Sequence, residues 1–102
     1  MSKLSEFFQG SKLVAAAGTP VPLVAQYNAV GSVEIHARKS VSSANTGNIF
    51  VGFSATPGAN LRVIKPDASF TIDAPDGKRI DLRSIFIDAA EDGDGATWTA
   101  MS

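Results

Sequence analysis

The segment SVEIHAR (residues 32–38) decides the fold, because apolar and polar side chains alternate along it. Val33 and Ile35 fall on one side of an extended chain. Glu34 and His36 fall on the other side. A period of two, carried by β-branched residues, predicts a β-strand with one buried and one solvated face.

The same kind of segment recurs along the chain, separated by turn residues such as Gly18-Thr19-Pro20 and Pro57-Gly58. Roughly eight or nine short strands, with a turn about every 8–12 residues, are typical of an antiparallel sandwich or barrel. The sequence therefore predicts an all-β chain that forms a single antiparallel β-sandwich, with the jelly-roll type preferred. The predicted core consists of Val33, Ile35, Ile49, Val51, Phe53, Val63, Phe70, Ile72, Ile85, Ile87 and Trp98.

The beginning of the chain stands outside this pattern. Residues 1–10 are predicted to form an N-terminal arm, either one turn of helix or an extended segment, and residues 11–102 to form the β-sandwich domain. Neighbouring phenylalanines in one strand point to opposite sides, so they cannot both enter one core. An arm of this kind can anchor a domain on a partner, or one phenylalanine can pack on the open end of the domain while the other stays exposed. Residues 11–16 can add a strand to a neighbour's sheet. The predicted partner contacts are Leu4, Phe7, Phe8, Leu13 and Val14.

Composition excludes several classes of protein. The chain has 102 residues and no cysteine, which excludes disulfides and thiolate metal sites. No apolar run approaches the ~18 residues of a membrane span, and no basic cluster suits nucleic acid. Residues 1–66 carry six basic and two acidic side chains, whereas residues 67–102 carry three basic and eight acidic ones. We expect the two halves to fold together and their charges to intermix, although a charge-split chain can also pair with copies of itself.

The acidic stretch EDGDGATW (residues 91–98) admits two interpretations. Together with Asp88, the side chains of Glu91, Asp92 and Asp94 offer oxygen ligands for Ca²⁺. The residues after Gly95 supply no closing glutamate, so the EF-hand pattern is incomplete. A β-hairpin tip that joins residues 84–90 to residues 96–101 is the favoured interpretation.

Other chemistry has little support in the sequence. His36 is the only histidine, and no serine lies in a G-x-S-x-G context, so we predict neither a catalytic nor a cofactor site. Exposed aromatic rings on a sheet can bind sugars, and Tyr27, Phe50, Phe53 and Trp98 are the candidates for such a module. For Trp98, burial in the core is the favoured alternative, because small alanines flank it at alternate positions.

The segments TGNIFVGF (46–53) and PGANLRVIKPDASFTIDAPDGKRIDLRSIFIDAAEDGDGATW (57–98) resemble small β-rich structural proteins of tailed bacteriophages. The shared pattern is a strand ending in G-N-I-F-V-G, then a turn, then F-T-I-D and I-F-I-D-A. It covers roughly residues 30–100 and contains no catalytic motif. Capsid decoration (cement) proteins are among those that resemble it. The resemblance implies a jelly-roll-like sandwich bound to the outside of a shell of major capsid protein, as a dimer or trimer.

The resulting hypothesis is a capsid decoration protein that stabilises the shell, made in the host cytoplasm and located on the virion. Its expected partners are the major capsid protein and copies of itself, with neither nucleic acid nor membrane. Two alternatives stay open. One is a tail or baseplate accessory protein, and the other is a carbohydrate-binding module.

Overall fold

The computed structural model describes residues 6–102 of the chain. Within that range the regular structure is β-strand, apart from one 3-10 turn at Leu82–Ser84, so the all-β prediction is confirmed. The strands are β1 (Phe7–Leu13), β2 (Val21–Pro22), β3 (Ala29–Val30), β4 (Ser32–His36), β5 (Arg38–Ser40), β6 (Ser43–Ala44), β7 (Ile49–Gly52), β8 (Arg62–Ile64), β9 (Ser69–Asp73), β10 (Ile80–Asp81), β11 (Phe86–Ala89) and β12 (Gly95–Met101).

Two antiparallel sheets of four strands make up the body of the protein. Sheet A has the strand order β1-β12-β4-β9, and sheet B has the order β2-β11-β7-β8. Two short pairs, β3 with β10 and β5 with β6, supplement them. Apolar side chains from both sheets form one core, so the chain is a β-sandwich, as predicted. At one open side of the sandwich, the guanidinium of Arg62 in sheet B lies 4.3 Å from the ring centre of Phe70 in sheet A.

The side chains that alternate along the strands are buried largely at the positions that the sequence predicts. In β4, Val33 and Ile35 are buried while Glu34 is exposed, which is the pattern expected of a strand with one face in the core. Seven members of the predicted core are buried and two more pack against it in part. These are Val33, Ile35, Ile49, Val51, Ile85, Ile87 and Trp98, followed by Phe70 and Ile72.

The core prediction is wrong for two residues. Val63 is 52% exposed, because it lies directly opposite Phe50 in the β7–β8 ladder, on the outer side of sheet B. Phe53 is 65% exposed, because β7 ends at Gly52 and the chain turns away after it. Both side chains therefore belong to the surface.

The first described strand crosses the boundary expected between residues 10 and 11. β1 pairs with β12 without interruption from Phe7 to Leu13, so residues 7–10 are part of sheet A. Phe7 is exposed and Phe8 packs partly against the core, as alternation requires. Gly10 lies against the indole of Trp98, where a Cβ atom would come within 2.8 Å of the ring. The absence of a side chain at Gly10 thus lets β1 lie directly against the indole of Trp98.

The acidic stretch is not a hairpin tip. β11, which precedes it, belongs to sheet B, and β12, which follows it, belongs to sheet A. Residues 90–94 therefore carry the chain from one sheet to the other across the end of the sandwich. The interpretation as a hairpin is wrong, because strands that are neighbours in sequence need not be neighbours in a sheet when two sheets share one core.

Candidate functional site

The acidic crossing between the sheets contains a fully buried carboxylate, that of Asp94. It accepts hydrogen bonds from the amide of Gly47 at 2.8 Å and from the amide of Thr46 at 3.0 Å. The Thr46 hydroxyl also donates to it, and Lys39 Nζ lies 3.6 Å from Oδ1. These donors satisfy a buried charge that would otherwise be costly. Asp94 therefore attaches the 45–47 loop to the start of β12.

The electrostatics of Asp94 follow from these contacts. Burial is the largest single influence and acts to raise the pKa of Asp94. The hydrogen bonds from Gly47 and Thr46, together with the charge of Lys39, outweigh burial and hold the pKa below its ordinary value. The carboxylate is therefore ionised in the folded protein at neutral pH.

Two other acids of this region accept hydrogen bonds from backbone amides of the loop that follows β1. Asp92 accepts a hydrogen bond from the amide of Ala17 at 2.7 Å, and Asp88 accepts one from the amide of Gly18 at 2.9 Å. Among residues 6–102, no group of three or more acidic or histidine side chains is placed to hold a metal ion. The stretch that resembles half of a calcium loop instead organises two neighbouring loops through their N–H groups.

His36 also has a structural partner. Its Nε2 lies 3.0 Å from the carbonyl oxygen of Asp67, and Arg38 donates to the Asp67 carboxylate at 2.8 Å. Asp67 has a positive φ of 67°, so these contacts hold an unusual turn between β8 and β9. The pairs Arg38–Asp67 and Lys39–Asp94 each join the basic half of the chain to the acidic half, as expected.

The structure separates the residues predicted to contact a partner. Phe7 and Leu13 are 76% and 53% exposed on the outer side of β1. Phe8 packs in part against the core, and Val14 is completely buried, so Val14 cannot contact a partner while the protein is folded. Leu4 lies outside the described residues.

The outer face of sheet B is the surface that sequence reasoning missed. Phe50 and Val63 lie side by side across β7 and β8, and both line one cavity of about 360 Å³ with Leu61, which is 82% exposed. Asp88 follows Phe50 in the next strand and lines the same cavity. We call Phe50, Leu61 and Val63 the apolar face. Large exposed apolar side chains grouped around a cavity are typical of a binding surface.

A loop positions Leu61 at the end of the apolar face. The carboxamide of Asn60 accepts a hydrogen bond from the Ser54 amide at 3.0 Å and donates one to the Ser54 carbonyl at 2.8 Å. The same carboxamide packs over Gly52, where any Cβ atom would collide with it. The loop 54–60 is therefore closed on itself and fixed to the end of β7, and the apolar face is preformed.

The aromatic residues proposed for sugar binding do not form one platform. Trp98 is buried, and its Nε1 lacks a hydrogen-bond partner within the described part of the chain. Tyr27 is exposed in the loop before β3, with the Arg83 guanidinium 5.2 Å from its ring centre. Phe50 lies apart from both, on the outer side of sheet B.

Comparison with protein-family models, with curated proteins and with solved structures finds no match to this chain. Residues 6–102 contain no helix of the length and apolar character needed to span a membrane. The apolar face and the sequence pattern of residues 46–98 are therefore the observations that bear on function.

Proposed function

We propose that this protein is a decoration protein of a tailed-phage capsid, which binds the outer surface of the major capsid protein through its apolar face. Two observations support the proposal. The sequence pattern of residues 46–98 resembles phage structural proteins, and the sandwich carries a preformed, exposed apolar surface that its own core does not need. The second observation carries the argument for a binding function, because burying exposed apolar area is the main favourable term in protein association.

We further propose that the sandwich is of the jelly-roll type. Among the eight strands of the two sheets, counted along the chain, the first, eighth, third and sixth lie side by side in sheet A. The second, seventh, fourth and fifth lie side by side in sheet B. Successive strands thus pass mainly from one sheet to the other, as expected of a double-sheet roll built from Greek keys.

The arrangement of polar and apolar surfaces is consistent with one-sided attachment. The outer face of sheet A carries Gln9, Thr99, Glu34 and Thr71 in one row across its four strands. Such a row is well solvated, and it lies on the opposite side of the sandwich from the apolar face. We place the apolar face against the shell and sheet A toward solvent. Repeated binding over a shell makes modest affinity at each site sufficient.

The role is binding and not catalysis in this proposal. The polar side chains that could serve chemistry, those of His36, Asp88, Asp92 and Asp94, hold turns and loops through the hydrogen bonds described above. Their engagement with the backbone gives each of them a structural role, whereas Leu61 and Val63 of the apolar face are exposed.

The test is the occupancy of purified capsids by a variant that changes only this face. The double variant Leu61→Ser/Val63→Ser removes apolar area that is already exposed, so its melting temperature should stay within a few degrees of the wild type. Its capsid occupancy should fall at least about tenfold at equal concentration. The matched control is Val41→Ser, which removes an exposed apolar side chain from the β5–β6 turn and should bind normally. Full occupancy by the double variant would contradict the proposal.

The location of labelled protein on virions separates the alternatives. Label on tails and not on heads would favour the tail accessory protein, for which the same apolar face is available. The carbohydrate-binding alternative predicts glycan binding that is lost on replacing Tyr27 or Phe50. It has less structural support, because these two rings lie on different parts of the molecule.

A further inference from the structure

We propose that two copies of this protein pair through β1, in antiparallel orientation about a two-fold axis at Gly10, so that two A sheets join into one. This joint is a different surface from the apolar face, and its formation does not depend on what the protein decorates. Four strands form the edges of the two sheets, and an edge strand offers unpaired backbone groups to another chain.

β1 is the longest of these edges. It has seven residues, against five in β9, three in β8 and two in β2. It contains no proline, whereas β2 includes Pro22, and its pairing with β12 has no bulge. Short strands, prolines and bulges are the usual means by which proteins protect their edges. β1 lacks all three.

Within residues 6–102, the backbone groups of β1 that do not bond to β12 belong to its odd-numbered residues. The neighbouring even-numbered residues Glu6 and Val14 bond toward β12, since Ser102 N–H donates to the Glu6 carbonyl and Val14 N–H donates to the Asp94 carbonyl. In an antiparallel ladder the direction of these groups alternates along a strand. The N–H and C=O groups of Phe7, Gln9, Ser11 and Leu13 therefore point away from sheet A.

This alternation fits a symmetric pair centred on Gly10. Rotation about Gly10 sets Phe7 opposite Leu13 of the other copy, and Gln9 opposite Ser11 of the other copy. Each pair matches outward-facing groups with outward-facing groups, which gives about eight hydrogen bonds across the joint. The two exposed apolar side chains of β1 meet twice, once on each side of the axis. If the two-fold axis were shifted by one or two residues along β1, at least one of these residue pairs would be lost.

The charges at the joint are also complementary. In the same register Lys12 lies opposite Phe8 of the other copy and diagonal to Glu6 of the other copy. Diagonal neighbours about 7 Å apart are within reach of long side chains. A lysine that points inward at an edge normally discourages pairing, but here the second copy supplies both an aromatic face and an opposite charge for it. The register thus makes β1 complementary to itself, as an isologous interface requires.

Molar mass measured by light scattering over a range of concentrations tests this inference. The wild type should form a dimer, and the variant Gln9→Pro should be a monomer. Proline at residue 9 removes an outward N–H group and no bond to β12, so the fold should persist. The matched control is Thr71→Pro in β9, the other edge of sheet A. The bonds from Ala74 N–H to the Gly31 carbonyl and from Ala37 N–H to the Ala68 carbonyl show that the even-numbered residues bond toward β4 there, so the Thr71 N–H also points outward. This control should remain a dimer.

A charge exchange supplies a second test that does not disturb the backbone. Lys12→Glu places two acids at each diagonal and should weaken the dimer at least about fivefold, whereas the double variant Glu6→Lys/Lys12→Glu should restore it. A wild type that is a monomer at all concentrations, or that forms a trimer, would overturn the inference. So would a dimer that survives Gln9→Pro, or one that the charge exchange fails to restore. Capsid occupancy of the Leu61→Ser/Val63→Ser variant is measured separately, so failure of either proposal can be recognised without the other.

Discussion

The two outer faces of the sandwich differ in character. On sheet A, the row of Gln9, Thr99, Glu34 and Thr71 is polar, and large apolar side chains are confined to β1 and its neighbour β12. On sheet B, the corresponding positions hold the apolar face. Both sheets bury their inner sides in one core. A solvated outer face follows from folding alone, whereas an exposed apolar face is typical of a binding surface.

The difference also shows how a hydrophobic pattern can mislead. Sheet A obeys the simple alternation of apolar inside and polar outside, so its core residues are predicted well. In sheet B the outward positions of β7 and β8 are apolar as well, and IFVGF reads as a run without alternation. A continuous apolar run indicates burial on both faces, but here Leu61 and Val63 on the outer face are exposed.

The crossing at residues 90–94 joins sheet B to sheet A, so weakening it should have the largest effect on stability. Asp94→Ala leaves Lys39 and the amides of Thr46 and Gly47 without their acceptor, and should cost about 3 kcal/mol of unfolding free energy. Glu91→Ala, in the same crossing but exposed, should cost less than about 0.5 kcal/mol. Urea unfolding followed by the fluorescence of Trp98, the only tryptophan, measures both. Equal losses would show that Asp94 does not hold the crossing.

Substitution of two valines in sheet B allows the inner and outer faces to be compared directly. Val51 in β7 is 2% exposed, and Val63 in β8 is on the outer side of the same sheet. Val51→Ala should cost about 2 kcal/mol through lost burial and a cavity, and Val63→Ala less than about 0.5 kcal/mol. The same urea titrations provide the values. A costly Val63→Ala would mean that the apolar face serves folding and not binding.

Lowering the pH should weaken the crossing before it weakens the pairing of the strands. Because the folded pKa of Asp94 lies below its ordinary value, its contribution is fully present above the unfolded pKa of about 4 and is lost as pH falls through the folded pKa. Melting temperatures from about pH 7 to pH 2 should therefore fall less steeply for Asp94→Asn than for the wild type.

The matched control for the acid series is Asp81→Asn. Arg83 lowers the pKa of Asp81 by a side-chain hydrogen bond, but the pair is exposed, so its effect should be smaller and weakened by salt. If the acid dependence of Asp94→Asn matched that of the wild type, Asp94 would not be the group that titrates.

Much of the fold could be predicted because it depends on local pattern. The alternation in β4 and the turn residues between segments indicate strands whatever their neighbours are. The role of residues 90–94 could not be predicted, because Gly93 has the positive φ of a tight turn whether the chain returns beside itself or crosses to another sheet. The candidate site was missed for a related reason. Val63, a member of the apolar face, carries the same local signal as a core residue, and only its position opposite Phe50 on the outer side of sheet B places it outside.

The amino-acid sequence by itself determined that this protein is an all-β sandwich and that Phe7 and Phe8 face opposite ways. These properties follow from side-chain periodicity and composition, which act over a few residues. The tertiary structure alone decided that Asp94 is a buried acceptor for the 45–47 loop, that residues 7–10 belong to sheet A, and that an apolar face remains exposed on sheet B. Each of these depends on contacts between segments far apart in the chain, and the pairing of strands, not their sequence spacing, creates those contacts.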